Sequence, residues 1–192
     1  MSVSEGNSKI GKVANVSLPP VRSCGNCEGC WEECYARPAY RQYPSTKASW
    51  DDNWRMVCTD RPAYWRMIRE YIERKAPTLF RWHVAGDIPD QGYLDEMVVI
   101  AKQYPKTKFL VFTKMYGLEY TGAIACENLS VVLSAWPGQK IQRTLELPVA
   151  WMQDGTETRI PKDAIECSGH CDDCGMCWSL AELGRDVYFH IH

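Results

Sequence analysis

Short stretches rich in β-branched and aromatic residues alternate along the chain with longer stretches in which apolar residues recur at helical spacing. The predicted strands span residues 12–18, 79–84, 108–112 and 129–133, with two weaker candidates at 147–152 and 187–191. The predicted helices span residues 46–58, a segment from Asp60 to the proline at position 77, and residues 90–104. Strands that alternate with helices predict right-handed βαβ units and a parallel sheet.

Single residues refine the predicted helices. Trp54, Val57 and Cys58 share one helical face, so the Cys58 thiol is predicted to lie in the core. Asp60 is a good N-cap for the helix that follows it. Pro38 and Pro44 are expected to keep the region after the first cysteine loop irregular.

The length of the chain limits the architecture. Its 192 residues predict one α/β domain that spans residues 1–192. Five or six parallel strands are too few for an eight-stranded barrel, which typically needs about 250 residues. The prediction is therefore a partial, open (β/α) barrel.

Cysteine is the residue type that points to chemistry. Eight of the ten cysteines form two tight sets. The first, in a loop at residues 22–36, is Cys24, Cys27, Cys30 and Cys34; the second, in the segment 165–179, is Cys167, Cys171, Cys174 and Cys177. Such dense thiolates suit zinc or an iron–sulfur cluster. A disulfide framework is the alternative, but it is typical of small secreted domains with weak cores.

The spacing of each set favours a kind of metal. The first set has the Cys-x2-Cys-x2-Cys-x3-Cys spacing of the bacterial ferredoxin run, which favours a [4Fe-4S] cluster over zinc. In ferredoxins the last cysteine of that run ligates a second cluster, so spacing alone leaves open whether all four close on one centre. The second set is compatible with a closed auxiliary cluster or with zinc, and His170 is expected beside that metal rather than on it.

Polar residues follow the predicted strands. Asp87 comes after the strand at 79–84 and Lys114 after the strand at 108–112, and the strand at 129–133 is followed by the Ser134 hydroxyl and Trp136. The carboxyl ends of parallel strands share one edge of a sheet, so these residues and the first cysteine loop are expected around one mouth. Asp87 and Lys114 are the candidate catalytic residues. The alternative is that Asp87 caps the next helix and Lys114 is a solvated charge.

Composition excludes several classes of partner. A net charge of -2 and a pI near 6.1 lack the basic footprint of nucleic-acid binders. No apolar run approaches the roughly 18 residues of a membrane span, and no signal-peptide segment is found. The expected location is a reducing cytoplasm, and the expected partner is a protein or small molecule whose identity the sequence does not determine.

Several motifs carry a family resemblance. They are the stretch 12–36 with its Ser-Leu-Pro-Pro entry, Trp-His-Val-Ala-Gly-Asp at 82–87, Phe-Thr-Lys at 112–114 and Cys-Gly-Met-Cys-Trp-Ser at 174–179. With them the chain resembles the phage-encoded gene product 88-like proteins, a family similar to a shortened radical S-adenosylmethionine (SAM) barrel. The resemblance implies a phage origin, the cytoplasm of an infected host cell, a partial barrel and an iron–sulfur cluster.

One cysteine separates the functional classes. Aligned on Cys34, the radical SAM spacing requires a cysteine at position 31, where this chain has Trp31. Cys24, Cys30 and Cys34 resemble the family's own triplet, which makes Cys27 additional. If all four thiolates bind one cluster, no iron is open to SAM, and an electron-transfer, redox or structural role follows. An open iron would instead allow a radical SAM-like enzyme, and a third alternative is a zinc-stapled interaction protein.

Overall fold

The structure is a computed structural model that describes residues 1–7, 10–25, 30–141 and 147–190. Its centre is a seven-stranded sheet. The strands are β1 (Ala14–Val16), β2 (Leu79–Trp82), β3 (Lys108–Thr113), β4 (Leu129–Ala135), β5 (Val149–Gln153), β6 (Ile165–Glu166) and β7 (Val187–His190). The α-helices are α1 (Ala36–Gln42), α2 (Pro44–Thr59), α3 (Arg61–Lys75), α4 (Gln91–Gln103), α5 (Thr121–Ile124), α6 (Cys171–Cys174) and α7 (Leu180–Leu183).

The sheet is open and all of its strand pairs are parallel. The strand order is β1-β2-β3-β4-β5-β7-β6, so the first five strands follow the chain and β6 lies at the far edge. The predicted α/β class with parallel strands is therefore confirmed. No helix within the described ranges is long and apolar enough to cross a membrane.

The two faces of the sheet are covered by different parts of the chain. Along β3, Phe109 and Val111 face a core that contains residues of α3 and α4, whereas Leu110 belongs to a second core on the other face. Trp178 lies in the second core and donates a hydrogen bond from Nε1 to the Phe80 carbonyl oxygen at 3.2 Å. Ser130 donates from Oγ to the carbonyl oxygen of Cys177 at 2.9 Å. The C-terminal cysteine segment therefore packs on the face opposite the helices.

Both ends of helix α3 are set by residues that can be recognised in the sequence. The Asp60 carboxylate accepts a hydrogen bond from the Ala63 backbone N–H at 3.0 Å, which confirms the predicted N-cap. The helix ends at Ala76, whose φ of 44° is left-handed, directly before Pro77. Pro77 has no backbone N–H to continue the helix.

Two predictions about the α1–α2 region are wrong. Cys58 is exposed, because the buried residues of α2 are Asn53 and Val57, and Cys58 lies on the adjacent, outward side of the helix. Asn53 belongs inside because its Nδ2 donates to the carbonyl oxygen of Ser17 at 2.9 Å. The segments around Pro38 and Pro44 are helical, because Pro38 lies in the first turn of α1 and Pro44 in the first turn of α2, where proline is tolerated.

Candidate metal centres

The carboxyl edge of the sheet gathers the residues that the sequence places after the strands. Cys30 is buried there and packs with Trp136, Met152 and Phe189. The Lys114 ammonium lies 5.8 Å from the centre of the Trp136 ring. The first cysteine loop and the ends of β3 and β4 therefore meet at one edge, as the strand alternation predicts.

The entry to the cysteine loop is packed tightly against the turn after β2. Ser23 donates from Oγ to the Pro19 carbonyl oxygen at 2.7 Å. Gly86 has a φ of 86°, and a Cβ atom there would lie 2.6 Å from Ser23 Oγ and 2.7 Å from the Leu18 Cβ. Both the left-handed backbone and the close approach require glycine at this position.

Asp87 is buried beneath this loop with both carboxylate oxygens occupied. Oδ1 accepts from Thr113 Oγ1 at 2.6 Å and from the Ile88 N–H at 2.7 Å, and Oδ2 accepts from the Lys114 N–H at 2.9 Å. Burial raises the pKa of the Asp87 carboxyl, and these donors partly oppose the shift. Asp87 therefore joins the ends of β2 and β3. The helix-cap alternative is wrong, because Asp90 is the residue that caps α4.

Lys114 is half-buried and faces the thiols of the first set. Burial alone would lower the pKa of its ammonium group, but four nearby groups that become negative on ionisation outweigh burial and raise it. These groups are Cys30, Asp87, Tyr35 and Cys24. Lys114 is thus a fixed positive charge beside the cysteine loop rather than a fully solvated one.

Tyr35 directly follows the last cysteine of the first set. The residue as a whole is 46% exposed, but its hydroxyl donates a hydrogen bond to the carbonyl oxygen of Val84. Burial raises the pKa of the Tyr35 hydroxyl, while the charges of Arg81 and Lys114 act to lower it. Tyr35 therefore reaches from the loop to the second face of the sheet, where Arg81 lies.

The fourth thiol of the first set is Cys27, which lies in residues 26–29, outside the described residues. Its role in completing the ligand set stays a prediction. The three described thiols differ in exposure: Cys30 is buried, whereas Cys24 and Cys34 are partly exposed.

The second cysteine set surrounds one hollow on the second face. All four of its cysteines line this hollow, together with Trp178. Burial and the charges of the other three cysteines together raise the pKa of the Cys177 thiol to about 12, against the opposing charge of Arg81. The chain places them there through two short features, because the Cys167 N–H donates to the Tyr188 carbonyl oxygen at 2.8 Å and α6 carries two of the thiols.

The two cysteine sets suit a metal through the kind of donor atom they offer and through where they lie in the fold. The described cysteines are all free thiols. In the described part of the chain, no three Cys, His, Asp or Glu side chains are arranged in a geometry that would hold a metal ion. Soft thiolates are nevertheless the donor type that zinc and iron–sulfur clusters prefer, and the four thiols of the second set line one hollow.

Sequence reasoning missed the partly buried Arg81 of β2 and the buried His83 in the turn that follows it. Arg81 lies on the second face beside Cys171 and Cys177 and 4.8 Å from the centre of the Phe112 ring. His83 is 3% exposed, and neither ring nitrogen has a hydrogen-bond partner. A signal was present for Arg81, because it is a charged residue between Phe80 and Trp82 in a buried strand.

Comparison with known proteins decides the family. The family described as "Gene product 88" matches residues 1–180 of the chain. The chain belongs to this family of phage proteins. It is 25% identical over 205 residues to the "Gene 88 protein" of Mycobacterium phage D29, which covers 90% of the chain and 85% of the relative. The "Gene 88 protein" of Mycobacterium phage L5 is 25% identical over 204 residues with the same coverage. No solved structure matches.

Proposed function

We propose that this Gene product 88 family member is an iron–sulfur protein whose first cysteine set holds a [4Fe-4S] cluster on a radical SAM-like partial barrel. The role proposed for the cluster is electron transfer, redox response or structural support during phage infection. One observation carries the proposal: Cys30 is buried under Trp136 and Met152 while the Lys114 ammonium faces it.

The apolar cover and the ammonium have complementary effects on such a cluster. Trp136, Met152 and Phe189 keep water from the inner thiol, and solvent exposure is one determinant of cluster potential. Lys114 offsets part of the negative charge that thiolates and a reduced cluster carry. The cluster, when bound, would supply one-electron chemistry. The protein would shield the cluster from water with apolar side chains and place the Lys114 ammonium beside it.

The barrel part of the proposal rests on topology. The first five strands are parallel and follow chain order, and the cysteine loop comes directly after β1. In parallel α/β folds this edge is where ligand sites collect. An open seven-stranded parallel sheet with this strand order is compatible with a barrel that has lost some of its strands.

A radical SAM-like enzyme is the second candidate, and Lys114 favours it because an ammonium beside the loop could bind a carboxylate substrate. Asp87 favours it less, since its oxygens already accept three hydrogen bonds from the protein itself. A zinc-stapled interaction protein is the third candidate, and it shares the same thiols.

Metal and sulfide analysis of anaerobically purified protein tests the proposal. We expect brown protein with about four iron atoms and four acid-labile sulfides per cluster. Colourless protein with stoichiometric zinc and no sulfide would refute the cluster. Electron paramagnetic resonance of the reduced protein with isotopically labelled SAM separates the first two candidates, because coupling to SAM nuclei requires an open iron.

Ligand variants test whether the metal also supports the fold. Cys34→Ser and Cys174→Ser should each lower iron or zinc content and thermal stability together, since the binding free energy of a structural metal contributes to folding. Cys58→Ser is the matched control, because Cys58 is an exposed thiol on α2 outside both sets. Variants that lose metal but melt like the parent would show that the metal is peripheral to stability.

A further inference from the structure

Arg81 carries a positive charge into the second face of the sheet. It lies on β2 between Phe80 and Trp82, whose side chains belong to the helix-side core, so strand alternation places Arg81 on the opposite side. Its guanidinium is 4.8 Å from the Phe112 ring centre, and Nε is buried without a hydrogen-bond partner. Among the described residues, no carboxylate forms an ion pair with it.

Arg81 is partly buried, and taking part of a guanidinium out of water is costly unless an opposite charge lies near it. The charge of Arg81 acts on the Cys171 and Cys177 thiols of the second set and on the Tyr35 hydroxyl, so Arg81 lies close to all three groups. Neutral thiols do not supply the missing charge. Four thiolates on a metal centre do, since such a centre is a net anion.

We propose that Cys167, Cys171, Cys174 and Cys177 hold a soft metal centre of their own, separate from the first cysteine set, and that Arg81 supplies its counter-charge. The inference does not depend on which centre the first set binds. It is carried by the single hollow that all four cysteines line and by the unpartnered guanidinium nitrogen beside it. Zn²⁺ and a [4Fe-4S] cluster are the two centres that this donor set accepts.

The same centre would also stabilise the contact between α6 and the segment that precedes β1. Asp172, between two of the ligands on α6, accepts a hydrogen bond from the Lys12 N–H at 3.0 Å. A Cβ atom at Gly11 would lie 1.9 Å from the Asp172 carboxyl carbon, so α6 sits directly on the segment that leads into β1. Metal binding to α6 therefore also orders residues 11–12, which precede the first strand.

Thiol alkylation of anaerobically purified full-length protein, mapped by mass spectrometry, tests the separate centre. We expect all four C-terminal cysteines to be protected from iodoacetamide while the exposed Cys58 is labelled. Total iron, zinc and sulfide then identify the metal. Rapid labelling of the C-terminal set in the native protein would overturn the proposal. Protection of this set with stoichiometric zinc and without iron or sulfide would uphold it while refuting the iron–sulfur function, whereas protection without any bound metal would overturn it.

Variants test the independence of the centre and the role of Arg81. Cys174→Ser should lose the metal of one centre and keep that of the other, whereas loss of all metal would show one shared centre. Arg81→Gln should release metal from the C-terminal set to a competing chelator about tenfold more readily, as is typical for the loss of a group beside the ligands. Arg81→Lys should restore much of the affinity, and Arg66→Gln, at an exposed arginine of α3, is the control. Equal release from Arg81→Gln and wild-type protein would refute the role of Arg81.

Discussion

His83 should make the stability of the protein depend strongly on pH. It follows β2 with a left-handed φ of 55°, its N–H donates to the Val16 carbonyl oxygen at 2.8 Å, and it is 3% exposed. Its ring packs 5.3 Å from that of Tyr93, and neither ring nitrogen has a hydrogen-bond partner. Burial without a partner lowers the pKa of the His83 imidazole from 6.5 to about 3.

The direction of the effect follows from where the proton binds. In the unfolded chain the imidazole is protonated below its ordinary pKa of 6.5, whereas in the folded protein it stays neutral until about pH 3. The folded state is therefore most stable above pH 6.5 and loses stability as the pH falls toward 3. Between about pH 7.5 and about pH 5 the loss from this one group is about 2 kcal/mol.

Urea denaturation of wild-type and His83→Asn protein at both pH values measures this loss. Asparagine is chosen because it tolerates the left-handed backbone and does not titrate. The wild-type free energy of unfolding should fall by about 2 kcal/mol more than that of the variant. His190→Asn, at the exposed end of β7, should behave like wild type. Equal losses in wild-type and His83→Asn protein would refute the reasoning.

Three further changes have expected outcomes. Gly86→Ala should lower the free energy of unfolding, measured in urea, by at least about 2 kcal/mol, because the new Cβ would collide with Ser23 at a position of positive φ. Gly122→Ala is the control and should leave the stability nearly unchanged, because a Cβ there meets only open space. Equal effects of the two substitutions would contradict the packing argument. Lys114→Met should lower the reduction potential of the first-set cluster, whereas Lys114→Arg should preserve it, because the positive charge favours the reduced cluster. A potentiometric titration followed by electron paramagnetic resonance measures both potentials. Unchanged potentials in both variants would show that Lys114 does not affect the cluster. Asp60→Ala should cost about 1 kcal/mol in thermal or urea unfolding through loss of the α3 N-cap, and a stability equal to wild type would show that water replaces the cap.

Some elements could be predicted because their signals are local. The predicted strand at 108–112 is β3, Lys108–Thr113, and the predicted helix at 90–104 is α4, Gln91–Gln103. Both depend on side-chain periodicity and on the residues at their ends. Strand β6 has only two residues, too few for any period to show, and its existence depends on pairing with β7.

The errors in the α1–α2 region have a tertiary cause. Apolar spacing assigns Cys58 to the buried face of α2, but the structure turns Asn53 inward, where it bonds to the carbonyl oxygens of Ser17 and Ser2. A polar residue that is buried because of its hydrogen-bond partners cannot be recognised from the spacing of apolar residues along the helix. The same is true of His83, whose burial depends on how Tyr93 of α4 packs over it.

The sequence by itself determined the alternation of strands and helices, the two cysteine sets and the edge at which Asp87, Lys114 and the first loop meet. These follow from local patterns and from the rule that parallel strands end on one side. Only the tertiary structure decided that the second set packs on the opposite face, with Arg81 beside it. Residues 81 and 171 are far apart in sequence, and only the packing of the C-terminal segment on the sheet brings their charges together.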